Sequence, residues 1–200
     1  MAFTESRLQT PHGARCSTFW PITAEPANAH PTYGPGVDVG ANVKSYLTVQ
    51  VASGSIFGDD VEQFDAEIFA GGQLDSETTL DDLEINATLF GHKYSADDGE
   101  ESGSEDTAQD GGYSFIEPIF SKAKGYFYRA TCLYKVTPMQ SSEKQEADTR
   151  KRGEFNPKMK VVSYKVKEDN TRAWRKRKDF NTEAEAKTFI ESVFKSAATG

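Results

Sequence analysis

Residues 125–136, GYFYRATCLYKV, decide the fold class, because their side chains alternate in character with a period of two. One set of alternate positions is aromatic or small and apolar: Tyr126, Tyr128, Ala130, Cys132, Tyr134 and Val136. The other set contains the polar residues Arg129, Thr131 and Lys135. Successive side chains of a β-strand point to opposite faces, so the pattern predicts a strand with its tyrosines in the core.

Three further segments carry strand signals. Residues 43–51 alternate apolar and polar side chains and predict a half-buried strand with Leu47, Val49 and Val51 inward. Residues 159–166 predict another, with Val162, Tyr164 and Val166 inward and Lys165 and Lys167 outward. A shorter strand is expected over residues 16–22. Together these segments predict an antiparallel sheet with one wet face.

Two helices follow from capping chemistry and apolar spacing. Thr182 and Glu185 form a T-x-x-E capping box, and apolar residues recur behind it with helical spacing, which predicts a helix over residues 182–196 lying across the sheet. A shorter helix is expected between a cap at Thr79 and a terminating Gly91. The predicted fold class is mainly β: an antiparallel β-sandwich or barrel with one flanking C-terminal helix and long loops.

Domain organisation is read from composition. Four prolines within residues 1–32 predict an extended N-terminal arm, and residues 33–200 then form the domain. Residues 53–72 combine glycines with an acidic centre and are expected to form a long loop or loose hairpin. Residues 97–112 carry seven acids, no base and no large apolar side chain, which predicts a solvated, mobile loop.

The charge of the chain is divided unevenly between its halves. The 200 residues carry a net charge of −8, but residues 1–112 hold 20 acids and 4 bases, whereas residues 113–200 hold 11 acids and 19 bases. The halves therefore carry −16 and +8. Such asymmetry favours either a basic half that binds nucleic acid or a chain whose acidic and basic surfaces meet on neighbouring copies.

The sequence lacks the common catalytic signatures. No phosphate-binding loop, dinucleotide turn, zinc-protease helix or serine elbow is present, so we expect no enzymatic activity and no catalytic, cofactor-binding or metal-binding residues. His12, His30 and His92 are expected at the surface or in turns. Cys132 is expected to pack as a protonated small hydrophobe, and the acidic residues 97–110 lack the order of an EF-hand.

Location is constrained by what the sequence does not contain. No apolar run is long enough for a membrane helix, and the first residues do not form a secretory signal, so we expect neither membrane insertion nor standard secretion. Two widely spaced cysteines predict a reducing compartment.

Residues 172–178 form one strongly basic segment of the chain. Arg172, Arg175, Lys176, Arg177 and Lys178 surround Trp174. Three readings stay open: contact with a nucleic-acid backbone, a solvated sheet edge whose charges discourage strand pairing, or a patch that faces the acidic half of a neighbouring copy.

With these elements placed, the chain resembles the major tail proteins of long, flexible-tailed bacteriophages, particularly those of Gram-positive hosts. Coverage runs from about residue 16 to 195 and rests on several phrases in the same order as in that family. They are TYGPGVDVGANVKSYLTVQV (32–51), GSIFGDDVEQFDAEIFAGGQL (54–74), DDLEINATLFGHKYS (81–95), GYFYRATCLYKVTPMQSSEKQEADTRKRGEF (125–155), similar to the family's YRA-x-x-YYKV strand and hairpin, and AWRKRKDFNTEAEAKTFIESVF (173–194).

The resemblance implies a β-sandwich whose copies form hexameric rings that stack into a tube for ejection of the viral DNA. It implies no enzymatic activity, a place in the virion after synthesis in the host cytoplasm, and tail-tip, tape measure and tail terminator proteins as partners. Viral DNA would pass without specific binding.

Two groups of charged residues are the predicted contact sites of such an assembly. The acidic group, between stacked rings, is Asp59, Asp60, Glu62, Asp65 and Glu67. The basic group, between subunits, is Arg172, Arg175, Lys176, Arg177 and Lys178. A nucleic-acid-binding module that uses residues 174–178 is the alternative function.

Overall fold

A computed structural model describes residues 9–11, 13–26, 30–58, 61–78, 82–123, 125–139, 157–165 and 172–195. The strands, in chain order, are β1 (Gln9–Pro11), β2 (Arg15–Ala24), β3 (Thr32–Tyr33), β4 (Val37–Asp38), β5 (Asn42–Gly58), β6 (Val61–Thr78), β7 (Lys93–Ser95), β8 (Gly99–Glu101), β9 (Gly111–Ser121), β10 (Gly125–Met139), β11 (Lys158–Val162), β12 (Tyr164–Lys165), β13 (Arg172–Ala173) and β14 (Arg175–Phe180). Two helices, α1 (Leu83–Phe90) and α2 (Glu183–Lys195), complete the described elements.

Ten of these strands form one antiparallel sheet. Its main path runs β3-β2-β9-β10-β11-β6-β5, with β1 beside β9, β4 beside β2 and β14 beside β10. The path is open, so the described strands do not close a barrel. The predicted fold class, mainly β with an antiparallel sheet and a C-terminal helix, is confirmed.

The core lies on both faces of this sheet. One apolar cluster joins Leu74, Leu89, Tyr113, Leu133 and Val161, so it includes side chains of α1. The other lies under α2, where the ring of Phe194 stacks on Trp20 with centroids 5.0 Å apart and meets the edge of Tyr33 at 4.8 Å.

The C-terminal helix begins as predicted. The backbone N–H of Thr182 donates to Oε2 of Glu185 at 3.2 Å, and the N–H of Glu185 donates to Oγ1 of Thr182 at 3.3 Å. These reciprocal bonds are the predicted capping box, and α2 buries its apolar side along Ala186, Ile190 and Phe194.

The short helix begins later than predicted. Asp82 is its N-cap and accepts from the N–H groups of Glu84 and Ile85, while the expected cap, Thr79, lies outside the described residues. Its end is confirmed, because Gly91 adopts the left-handed conformation that terminates a helix and donates its N–H to the carbonyl of Ala87.

Strand β10 is buried on both faces, which the prediction of one core face did not include. Ala130 and Cys132 lie under α2, whereas Leu133 and Val136 both belong to the opposite cluster. The register between β10 and β9 shifts between Leu133 and Val136. Val136 therefore lies on the face opposite to the predicted one. Of the three tyrosines, Tyr134 is buried and Tyr128 half-buried, but Tyr126 is exposed.

The inward residues of two predicted strands are corrected. In β11, Met159 and Val161 are buried, not Val162, because the register with β6 places Met159 opposite Leu74 in the core. In β5, Leu47 reaches the core but Val49 and Val51 are exposed. The predicted positions Val166 and Lys167 lie outside the described residues.

Of the two structures expected over residues 53–72, a long loop or a loose hairpin, the hairpin is confirmed. Residues 53–58 and 61–72 continue β5 and β6, which are 17 and 18 residues long and paired along their length. Pairing of the two strands satisfies the backbone N–H and C=O groups, which the acidic, glycine-containing composition was expected to leave to solvent in a loop.

The N-terminal arm over residues 1–32 is also revised. Within it, β2 contains the predicted strand over residues 16–22 and pairs with β9, β3 and β4, and Phe19 and Trp20 are buried in the core. This part of the chain therefore belongs to the sheet.

The predicted acidic loop over residues 97–112 contains regular structure. Strand β8 pairs with β7, and Gly111 and Gly112 are buried at the start of β9. The N–H of Gln109 donates to the carbonyl of Leu89 in the last turn of α1 at 3.0 Å. A hydrogen bond between residues distant in sequence, which composition cannot predict, therefore holds this segment against the helix.

Candidate functional site

A long hairpin leaves the sheet at one side. Strands β5 and β6 pair from Asn42 opposite Thr78 to Gly58 opposite Val61, but only Gly72 to Asp75 of β6 also pair with β11. In the described part of the chain, residues 50–58 and 61–71 pair only with each other. We call these residues the hairpin arm, which extends about 25 Å beyond the sheet at the usual rise of a strand.

Apolar side chains near the base of the arm are exposed on both of its faces. Val49 and Val51, on the face that continues from the core, are 40% and 52% exposed. Tyr46 and Ile68, on the opposite face by the register of the two strands, are 61% and 63% exposed. An isolated two-stranded ribbon is at best marginally stable in water, and exposed apolar strands are templates for association.

The base of the arm is fixed to the C-terminal half of the chain. The ring of Phe69 stacks on Trp174 with centroids 4.2 Å apart and planes 1° from parallel, and the guanidinium carbon of Arg175 lies 4.3 Å from the Trp174 ring centroid. The carbonyl of Trp174 accepts from the N–H of Tyr134 at 3.1 Å. The arm therefore leaves the sheet beside the beginning of β14.

Strand β14 carries the basic segment, and we call it the basic edge strand. It pairs with β10 from Tyr128 opposite Phe180 to Leu133 opposite Arg175, and no described strand pairs with its other side. Its side chains alternate between faces. Lys176 and Lys178 lie on the α2 side, with their Nζ atoms 5.4 and 5.7 Å from the ring centroid of Phe189.

The opposite face of the basic edge strand meets a row of charged residues. Arg129 donates to both carboxylate oxygens of Asp179, at 2.7 and 3.0 Å, and lies opposite Glu117 on the neighbouring strand. Burial raises the pKa of Glu117 despite the nearby guanidinium groups of Arg129, Arg177 and Arg175. Burial, and then repulsion by Arg177, lowers the pKa of Arg175. The positive charges of the arginines on this face therefore lie close together and are only partly balanced by the nearby carboxylates.

Three adjacent cations of the basic edge strand are open to solvent. Lys176, Arg177 and Lys178 are exposed, and none of them forms an ion pair with another residue in the described ranges. Consecutive exposed cations of this kind need an external anion, in solution or on a partner, for compensation.

The predicted acidic and basic groups lie apart in the chain. Glu62, Asp65 and Glu67 belong to β6 in the hairpin arm, whereas Asp59 and Asp60 lie outside the described residues. Arg172 pairs with Lys165 in the two-stranded sheet β12–β13, away from β14. Glu62 is seven residues beyond Phe69, which places it about 23 Å along the strand from the contact with Trp174.

Sequence reasoning missed the aromatic contact that links these groups. Phe69 was expected in a long loop or loose hairpin and Trp174 in a basic segment. The sequence therefore did not predict that their side chains are in contact. An alternation of apolar side chains over residues 61–69 could have predicted a strand. The acidic residues at every second or third position obscured this pattern.

Three of the predicted titratable residues are placed as follows. His92 follows Gly91 in the connection between α1 and β7 and is only partly exposed: its side chain is 9% exposed, its Nδ1 bonds to Oε1 of Glu100, and Oγ of Ser102 lies 3.2 Å from the same nitrogen. Cys132 is fully buried, and burial raises the pKa of its thiol to about 12, so its predicted protonated state is confirmed. His30 is exposed, as expected.

Searches for a metal cluster and a membrane helix give two further findings. In the described residues, no three His, Cys, Asp or Glu side chains come together as a metal site. No described helix has the length and apolar character needed to cross a membrane.

The chain matches no protein-family profile, and no curated protein matches its sequence.

Proposed function

We propose that this chain is a structural subunit that polymerises into stacked rings and forms the tail tube of a long, flexible-tailed bacteriophage. The observation that carries the proposal is the hairpin arm, about 25 Å of two-stranded ribbon with apolar side chains exposed at its base on both faces. Such a ribbon gains stability only when another surface covers it. The resemblance to phage major tail proteins supplies the identity of that surface, a neighbouring copy, and the number of six copies in a ring.

Open polymers need two different surfaces of one chain that fit each other. A heterologous contact repeated by rotation closes a ring, and repeated along an axis it builds a tube. The arm and the basic edge strand are two such surfaces, formed by different strands and opposite in charge. They support contact between subunits at Arg175, Lys176, Arg177 and Lys178 and contact between rings at the acidic arm.

A tube that ejects DNA has to repel it. Lysines along the lumen would displace counterions and hold the DNA at many phosphates, so transit would stall. We therefore place the basic edge strand against a neighbouring subunit or the outer surface and expect acids to outnumber bases along the lumen. The net charge of −8 per copy gives the required sign of field.

In this proposal the chain performs no chemistry and binds no cofactor. Its partners are other copies of itself and the tail-tip, tape measure and tail terminator proteins, and it acts in the virion.

Sedimentation velocity and negative-stain electron microscopy of the purified protein test the proposal. We expect rings of six that stack into tubes, with growth promoted when tail-tip complexes are added as nuclei. A protein that stays monomeric at high concentration, and forms no tubes on those nuclei, would overturn it.

A nucleic-acid-binding module is the second candidate, and the three unpaired cations of the basic edge strand are the observation that favours it. Binding through such a strand would weaken steeply as salt rises, because counterions are released from the phosphates. A gel-shift titration with duplex DNA at physiological salt separates the candidates. Tight binding that is lost when Arg175, Lys176, Arg177 and Lys178 become glutamate would establish the binder and contradict the tube subunit.

A further inference from the structure

The face of the sheet that turns away from α2 carries a group of polar and charged residues beside the basic edge strand. The register of three neighbouring strands places on this face Glu117 of β9, Arg129 and Thr131 of β10, and Arg175, Arg177 and Asp179 of β14. Thr131 lies directly opposite Arg177. Directly opposite β-carbons are about 5 Å apart and adjacent rows about 7 Å apart. These residues therefore form one compact patch, which we call the arginine face.

Two of the three arginines on the arginine face have no counter-ion in the described part of the chain. Arg129 donates to both carboxylate oxygens of Asp179, so the charges of these two residues balance each other. Arg175 and Arg177 form neither an ion pair nor a hydrogen bond with another described residue. Burial, and then the charge of Arg177, lowers the pKa of Arg175. An anion between the two guanidinium groups would relieve this repulsion.

A buried hydroxyl lies in the same patch. Thr131 is only 2% exposed, and its Oγ1 atom is buried without a hydrogen-bond partner among the described residues. Glu117 is near enough for this hydroxyl to lower the pKa of its carboxyl, but no hydrogen bond of ordinary length joins the two groups. A buried hydroxyl without a partner costs free energy, so a group of this kind indicates a ligand or an ordered water.

From this arrangement we propose that the arginine face binds a dianionic tetrahedral oxyanion, a phosphate or sulfate group, between Arg175 and Arg177. Each guanidinium donates two N–H groups in the geometry that suits such an anion, and the hydroxyl of Thr131 donates a further hydrogen bond. Two uncompensated cations match the two negative charges of the anion, whereas one carboxylate would leave a cation unpaired. The site lies within one copy and does not depend on the proposed tube.

Arg175 is already held in position for this contact. Its guanidinium carbon lies over the Trp174 ring, 4.3 Å from the ring centroid, and the other partner of that ring is Phe69. The five N–H groups of a guanidinium lie in its plane, so contact with an aromatic ring leaves them free to donate. The side chain therefore loses less freedom when the anion binds than an unsupported arginine would.

Glu117 limits the affinity of the site. Its half-buried carboxylate lies among the same arginines, and burial raises its pKa. A second anion bound nearby is repelled by this carboxylate. Glu117→Gln keeps the shape of the side chain and removes its charge, so we expect this variant to bind the oxyanion more tightly than the native protein.

Sulfate titration of the purified full-length chain tests the proposal. Isothermal calorimetry gives the dissociation constant, and thermal unfolding is followed in sodium sulfate and in sodium chloride at equal ionic strength. We expect sulfate to raise the melting temperature with saturation, because the anion binds the folded chain, and chloride to give no saturable shift. Sulfate also stabilises proteins by exclusion from their surface, so the comparison of variants decides the outcome.

Arg177→Gln and Lys178→Gln form the matched pair. The two residues are adjacent in β14, are both exposed and lose the same charge, but their side chains lie on opposite faces of the sheet. We expect Arg177→Gln to weaken sulfate binding about tenfold or more, since it removes charge-assisted hydrogen bonds. Lys178→Gln should change it by less than about threefold, because an exposed charge outside the site contributes little.

Thr131→Val removes the buried hydroxyl and keeps the volume of the side chain. We expect it to weaken sulfate binding about threefold to tenfold, the contribution of one hydrogen bond. Its melting temperature in chloride should equal or exceed the native value, because no hydrogen bond within the chain is lost. A lower melting temperature in chloride would contradict the proposal, since the hydroxyl would then already be bonded in the native protein.

Competition experiments distinguish the source of the oxyanion. Displacement of sulfate by inorganic phosphate, and not by a short duplex DNA at physiological salt, identifies a free oxyanion as the ligand. Displacement by the DNA identifies phosphate groups of a nucleic acid. Equal losses of sulfate binding in Arg177→Gln and Lys178→Gln would overturn the proposal, because binding would then follow net charge and not the arginine face. That result would leave the proposed tube, which is tested by assembly, unaffected.

Discussion

The ring of Phe69 lies parallel to the indole of Trp174, with centroids 4.2 Å apart and planes 1° from each other. Phe69 is at the base of the hairpin arm, and Trp174 immediately precedes the basic edge strand. The contact therefore fixes the direction in which the arm leaves the sheet relative to β14.

A double-mutant cycle measures the strength of the stack. We expect Phe69→Leu and Trp174→Leu to couple by about 0.5 to 1.5 kcal/mol in unfolding free energy, because an aromatic pair contributes beyond the area that it buries. Phe120 and Tyr126, with ring centroids 5.1 Å apart and both exposed, form the control pair. Additive effects at Phe69 and Trp174 would show that the stack contributes nothing to stability.

The packing of α2 depends on Phe194. This fully buried ring lies against Trp20 and Tyr33, and a β-carbon on Gly112 would overlap its Cε1 atom. We expect Phe194→Ala to cost about 3 to 5 kcal/mol in unfolding free energy and Gly112→Ala about 1 to 3 kcal/mol. Urea titration provides the measurement. Phe189→Ala, at a half-buried position of the same helix, should cost less than Phe194→Ala, and the reverse order would contradict the packing.

Two glycines with the same backbone conformation differ in what surrounds them. Gly91 and Gly99 have φ of 74° and 80°, but a β-carbon on Gly91 would overlap the carbonyl of Thr107, whereas nothing lies within 4 Å of one on Gly99. We expect Gly99→Ala to cost about 1 kcal/mol from backbone strain alone and Gly91→Ala clearly more. Equal thermal shifts in the two variants would show that residues 107–109 do not pack against the end of α1.

The buried thiol of Cys132 makes stability depend on pH above 9. Its pKa is raised from 9.0 to about 12 by burial, so the unfolded chain releases this proton at lower pH than the folded protein. Between about pH 9 and 12 this thiol should therefore lower the unfolding free energy by up to about 1.4 kcal/mol per pH unit. Between pH 9 and 10, buried Tyr113 and Tyr134 add little, because burial raises their pKa from 10.0.

Replacement of Cys132 by alanine should reduce this slope strongly, even though the variant is less stable at every pH. Cys16→Ala should reduce it less, because burial raises the pKa of Cys16 as well but this thiol is only partly buried. An unchanged slope in Cys132→Ala would assign the pH dependence to another group.

Elements whose chemistry is local could be predicted from the sequence. The capping box of Thr182 and Glu185, the left-handed end at Gly91 and the alternation of β10 all depend on neighbours within a few residues, so their side chains identify them directly. Protonation of Cys132 followed too, because a thiol in the middle of an apolar strand is desolvated wherever that strand packs.

Which faces of the strands are covered could not be predicted from the sequence and became clear only from the three-dimensional fold. Periodicity shows that Val49 and Val51 share a face, but they are exposed because β11, which continues the sheet beside β6, is only five residues long and the core ends there. His92 is partly covered by Glu100, from a strand that its composition did not predict. Likewise Phe69 and Trp174 meet because β6 and β14 reach the same end of the sheet. Burial is a property of what packs on a face, and that partner comes from distant parts of the chain.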